Sequence, residues 1–99
     1  MSTKESEMII GNIADFLKFL KTRITMIHMS NVFFRDLHYG TMAYLEKSGK
    51  KLSYAKAEPI AREVAESLEK SGVFRQIDRQ SWLLNYPEFA LPRIEKKAS

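Results

Sequence analysis

Two histidines, His28 and His38, are the only imidazoles in the chain. They stand ten residues apart and lack the i, i+4 spacing of a helical metal pair. Asp36 and His38 are too close in sequence to face each other on a helix. Serine, histidine and aspartate all occur, but a nucleophilic triad is a matter of geometry, not of composition. There is no glycine-rich phosphate loop. There is no cysteine either, which excludes disulfides and thiolate metal sites. The expectation is a non-catalytic protein without metal or cofactor.

The residue types that remain suit contact rather than catalysis. One set is basic and polar: Lys50, Lys51, Tyr54, Lys56 and Arg62, then Arg75, Arg79 and Gln80. Lysine and arginine neutralise phosphates, and arginine and glutamine also read base edges. Glu63, Glu66 and Glu69 lie close behind the first group and would repel a phosphate backbone they faced. The other set is aromatic: Phe33, Phe74, Trp82 and Tyr86 could face a protein partner. Trp82, Phe74, Tyr86 and Phe89 have a second use, since such residues anchor a hairpin on helices, and at least two of them are expected in the core. Phe33 and Phe34 cannot both point inward on a regular strand, because side chains alternate.

These side chains need elements to hold them. Ile9, Ile13, Phe16, Leu17 and Leu20 fall on one face of a helix over about residues 6–22. Acidic residues near its start and basic ones near its end suit the helix dipole. Residues 24–34 read as strand, extended connector or helix start. A second helix covers 36–47, with Leu37, Thr41, Met42 and Leu45 on one face. The pentapeptide Leu-Glu-Lys-Ser-Gly then occurs twice, at 45–49 and 68–72, and both copies read as helix endings with glycine reversing the chain. Val73 after the second copy can touch Leu68; Lys50 after the first makes no such contact. Between the copies Ser53 is a plausible cap. Pro59 implies either a separate turn before it or a kink. From Pro59 to Ser71 the third helix buries Ile60, Ala61, Val64, Ala65 and Leu68, and Arg62–Glu66 and Glu66–Lys70 are spaced for ion pairs. Runs 73–77 and 82–86 flank Asp78-Arg79-Gln80-Ser81 and read as a hairpin ended by Pro87.

The order helix, extended link, helix, turn, helix, hairpin over about residues 8–86 resembles the winged-helix form of the helix-turn-helix. The run Ile60-Ala-Arg-Glu-Val-Ala-Glu-Ser-Leu-Glu-Lys-Ser-Gly-Val-Phe-Arg75 carries most of that likeness. Tyr39-Gly-Thr-Met-Ala-Tyr-Leu45 also resembles a DEP domain, a winged helix that binds proteins and membranes. The resemblance implies an α+β fold of three helices with a C-terminal β-hairpin. It further implies double-stranded DNA contacts through the start of the third helix and the wing. The alternative is a protein-interaction module of the same architecture, with a protein partner or as a homodimer, for which Phe19 on the first helix is another candidate.

Ninety-nine residues fit one domain. The division is a flexible N-terminus over 1–5, the winged-helix-like domain over 6–91, and a basic disordered tail over 92–99. The formal charge of +4 mildly favours an anionic partner. It is spread out, with residues 53–72 summing to −1 and 73–91 to 0, so there is no single basic block. No apolar run approaches the roughly 18 residues of a membrane span. The polar start and the lack of cysteine point to a cytoplasmic protein.

Overall fold

Gly11-Asn12 divides what the apolar spacing reads as one helix. The computed structural model, which describes residues 4–90, has helix α1 over Lys4–Ile10 and helix α2 over Ile13–Lys21. Glycine has little helix preference. The Asn12 side chain also competes for a helix carbonyl: its Nδ2 donates to Met8 O at 3.0 Å. Phe16 N–H then donates to Asn12 O, and α2 begins. The core stripe survives the break, with Ile9, Phe16, Leu17 and Leu20 buried and Ile13 half-buried. Helix α1 starts before the expected Ser6, with Lys4 and Glu5 already helical. The expected tail over 92–99 lies outside the described residues.

The ambiguous stretch resolves into a connector and a short strand, β1, over Asn31–Phe33. The connector is stitched to the far end of the chain. His28 N–H donates to Phe89 O, Met29 N–H to Leu84 O and Leu84 N–H to Ser30 O. His28 takes part with its ring as well: Nδ1 accepts the Tyr86 N–H at 3.0 Å. Along β1 the pleat alternates, with Val32 buried and Phe33 exposed.

Helix α3, Phe34–Lys47, follows directly. It buries Phe34, Leu37, His38, Thr41, Tyr44 and Leu45, while Met42, expected inside, is half-buried. Gly40 lets α3 approach α2 closely, because a Cβ there would lie 2.1 Å from Leu20 Cδ2. Helix α4 covers Tyr54–Lys70. Ser53 caps it, Oγ accepting the Lys56 N–H at 3.2 Å. There is no separate turn before Pro59; the helix runs through it. Proline leaves the Ala55 carbonyl without its helical partner. Both residues are exposed, so water can take that place. Arg62 pairs backward with Glu58, Nη2 to Oε2 at 4.0 Å, instead of forward with Glu66.

The two Leu-Glu-Lys-Ser-Gly copies do end helices, with Gly49 at φ 94° and Gly72 at φ 85°. Val73 after the second copy packs against the core that holds Leu68, and the backbone endings differ as well. At the first copy Lys50 N–H donates to Leu45 O and Gly49 N–H to Glu46 O, the full pair of a Schellman ending. At the second, Gly72 N–H donates to Glu69 O, but the Leu68 carbonyl accepts the Ser71 hydroxyl.

Strands β2, Phe74–Asp78, and β3, Ser81–Leu84, form the hairpin. Asp78 holds its turn, Oδ1 accepting from Gln80 N–H and Ser81 Oγ. These bonds pull the Asp78 carboxyl below the usual carboxylate range, the Gln80 N–H first. Strand β1 pairs antiparallel with β3, Val32 opposite Trp82. The sheet order is therefore β1-β3-β2. The fold of the described residues is α+β: four α-helices and a three-stranded antiparallel sheet, closed by a 3-10 turn over Pro87–Phe89. The fourth helix comes from the break at Gly11-Asn12. No helix among them is long and apolar enough to cross a membrane.

Candidate functional site

Where β1 passes into α3, the chain turns one phenylalanine in and leaves the next one out. Phe34 is 6% exposed and Phe33 51%. One helical turn later the same division recurs, with His38 buried and Tyr39 half in solvent. His38 reaches across to α4. Its Nε2 lies 2.7 Å from the Tyr54 carbonyl oxygen, which can only accept, so Nε2 carries the proton. The His38 and Tyr54 rings stack with centroids 3.8 Å apart, and Tyr39 leans on Tyr54 at 5.4 Å. A buried imidazole thus holds two exposed tyrosines in fixed relation.

The hairpin tip closes the other side. Phe34 N–H donates to Gln80 O at 2.7 Å, which seats Gln80 beside the start of α3. The resulting groove is lined by Phe33, Arg35, Asp36, Tyr39 and Gln80. It adjoins a second depression where α4 contributes Tyr54, Glu58 and Arg62. The Arg62 guanidinium lies over the Phe34 ring at 3.8 Å and is engaged by Glu58.

The basic set does not form one surface. Tyr54, Arg62 and Gln80 meet at the second depression. Lys50 is drawn toward α1, its Nζ 3.2 Å from Glu5 Oε2. The Glu5 carboxyl sits below its ordinary value, through its own backbone hydrogen bond first and Lys50 second. Arg75 lines a separate depression beside Glu69 and Asn85. Lys51, Lys56 and Arg79 are exposed. Helix α4 carries Lys56, Arg62 and Lys70 against Glu58, Glu63, Glu66 and Glu69, so carboxylates outnumber cations along it.

Of the aromatic set only Phe33 offers a surface. Phe74 and Trp82 are each 2% exposed, and their rings stack on each other at 5.3 Å. Trp82 stands on the central strand, covered on its face by the helices, and its indole Nε1 donates to Glu69 Oε2 at 2.5 Å. Tyr86 is half-buried, edge-on to Phe89. Phe19, also half-buried, is covered by Arg23 and Lys47. Sequence reasoning missed Arg35, Asp36 and Tyr39. The signal was available: Arg35 and Tyr39 are four apart, on the helix side opposite the apolar face it did find.

The histidines serve the backbone, His28 at Tyr86 and His38 at Tyr54. Among the described residues no three or more histidine, aspartate or glutamate side chains gather as a metal ion requires. Comparison of the chain with protein-family models, with curated proteins and with solved structures finds no match.

Proposed function

We propose that this chain is a non-catalytic interaction domain of winged-helix architecture that docks a protein partner on the groove between α3, α4 and the hairpin tip. The architecture is supported by the element order and by the sheet order β1-β3-β2, in which the strand after the first helices pairs with the last. The observation that carries the function is the trio Phe33, Tyr39 and Tyr54. Each is about half exposed, and the two tyrosines are fixed by ring contacts with each other and with His38. Phe33 and Tyr39 line the groove, while Tyr54 lines the depression adjoining it. Rigid tyrosine and arginine side chains at a preformed depression are the usual anchors of protein interfaces, because little side-chain freedom is lost on docking.

Duplex binding through α4 and the hairpin is supported less well. Bound duplex would lie against a helix with four carboxylates and three cations, and Lys50 and Arg62 are already paired. Two measurements separate the readings. Peptides selected on the domain from a displayed random library should lose affinity on Tyr39→Ala and keep it on Lys56→Glu. A mixed-sequence duplex titrated at low and moderate salt should show no saturable binding. Salt-sensitive duplex affinity abolished by Lys51→Glu with Lys56→Glu would overturn the proposal in favour of DNA.

A further inference from the structure

Arg35 and Asp36 stand side by side on the groove rim with opposite charges. Neither forms an ion pair or a side-chain hydrogen bond within the described chain. Asp36 is half-buried all the same. With Glu58 and Arg62 the rim of the two depressions holds two cations and two carboxylates. A neutral patch on a chain of net charge +4 is a poor match for a polyanion or for a strongly charged peptide. It is a good match for itself. In an isologous interface each residue of the patch meets its counterparts across a two-fold axis. Arg35 of one copy then faces Asp36 of the other, twice, while Phe33 and Tyr39 supply aromatic contacts between them.

We infer that the occupant of the groove is a second copy of this chain, in a two-fold dimer centred on Phe33, Arg35, Asp36 and Tyr39. The inference rests on the protein-docking reading and names its partner. The other exposed edge of the fold, β2, is a weaker pairing surface, because a bulge between Gln76 and Asp78 interrupts it. Three half-exposed rings and their rim cover less than the roughly 800 Å² per partner of a standard interface. The dimer is accordingly weak, with a dissociation constant on the order of 100 µM.

Sedimentation of the full chain from about 5 µM to about 1 mM brackets that constant and tests the inference. The weight-average mass should climb toward twice that of one chain. Phe33→Ala should raise the dissociation constant at least about tenfold, with circular dichroism and thermal unfolding unchanged because the ring is exposed. Arg35→Glu and Asp36→Arg should each weaken association by about tenfold, since like charges then face each other twice. The double exchange should restore it, an outcome that only a self-complementary patch produces. A chain that stays monomeric throughout, or a dimer indifferent to Phe33→Ala and Arg35→Glu, overturns the inference. If the monomeric chain still binds library peptides through Tyr39, the second copy fails and protein docking stands. If it instead binds duplex in a salt-sensitive way, both fail.

Discussion

Substituting Gly40 tests how tightly the helices that carry the groove are packed. A Cβ at Gly40 would lie 2.1 Å from Leu20 Cδ2 and 3.6 Å from its Cγ. Carbon atoms rest at about 3.5–4.0 Å, so the first contact is short by about 1.4 Å or more. Leu20 is fully buried among α2 and α3 residues and has little room to turn. Overpacking of this kind costs about 1–3 kcal/mol. Against it, alanine is better than glycine inside a helix by about 1 kcal/mol. Gly40→Ala should therefore lower stability by about 0–2 kcal/mol net, a value too ambiguous to interpret alone. A double-mutant cycle removes the ambiguity. Leu20→Ala deletes the clashing Cδ2 and by itself costs about 2–5 kcal/mol. In that background Gly40→Ala should stabilise by about 1 kcal/mol, so the coupling between the sites should be about 1–3 kcal/mol. Urea unfolding followed by Trp82 fluorescence gives all four free energies. If Gly40→Ala stabilises both backgrounds equally, the close approach of α2 and α3 is refuted.

Glu69→Leu should cost about 1–3 kcal/mol by leaving the buried Trp82 Nε1–H without its acceptor, while Glu69→Gln, which keeps an oxygen there, should cost less; urea unfolding of both variants decides it. Tyr44 should ionise above the tyrosine value of 10.0, first because burial disfavours the phenolate and then because its hydroxyl donates to Asp15 Oδ2. The folded chain then holds that proton where the unfolded chain has lost it, so the stabilisation is complete below pH 10 and fades as pH rises through the folded value. In an ultraviolet titration Tyr44→Phe should remove one late tyrosine, and Asp15→Asn should bring it earlier. Gly49→Ala and Gly72→Ala should each cost about 1–2 kcal/mol, because both positions have left-handed φ and open space around a Cβ, leaving backbone strain as the only penalty; thermal unfolding shows whether the two costs match.

Periodicity made the helix cores legible. Ile9, Phe16, Leu17 and Leu20, then Ile60, Val64 and Leu68, are buried where the 3.6-residue spacing puts them. The break at Gly11-Asn12 escaped the same reasoning because the apolar stripe continues across it. What ends α1 is a side chain competing for Met8 O, and a hydropathy pattern carries no trace of that bond. Strand β1 was ambiguous for a different reason. Three residues are too few to show a period, and its partner β3 lies about fifty residues away in the chain. The aromatics near the hairpin could be read either way until the sheet order was known. Once β3 is central, Trp82 has a strand on each side and Phe74 stacked on it, and neither ring can reach a partner.

The groove depended on two contacts that no spacing encodes, His38 with the Tyr54 carbonyl and Phe34 N–H with Gln80 O. Each joins elements distant in sequence, and each starts from a buried residue of α3. The exposed rings therefore inherit their positions from core packing. Tyr39 sits between His38, which is tied to α4, and Gly40, which is wedged against Leu20. A shift of α3 away from Leu20, as a methyl group 2.1 Å from its Cδ2 demands, moves Tyr39 relative to Phe33 and Gln80. If the groove docks a second copy, Gly40→Ala should weaken self-association, and adding Leu20→Ala should restore association although it costs stability on its own. A double variant that associates as weakly as Gly40→Ala alone would separate the groove from the packing beneath it.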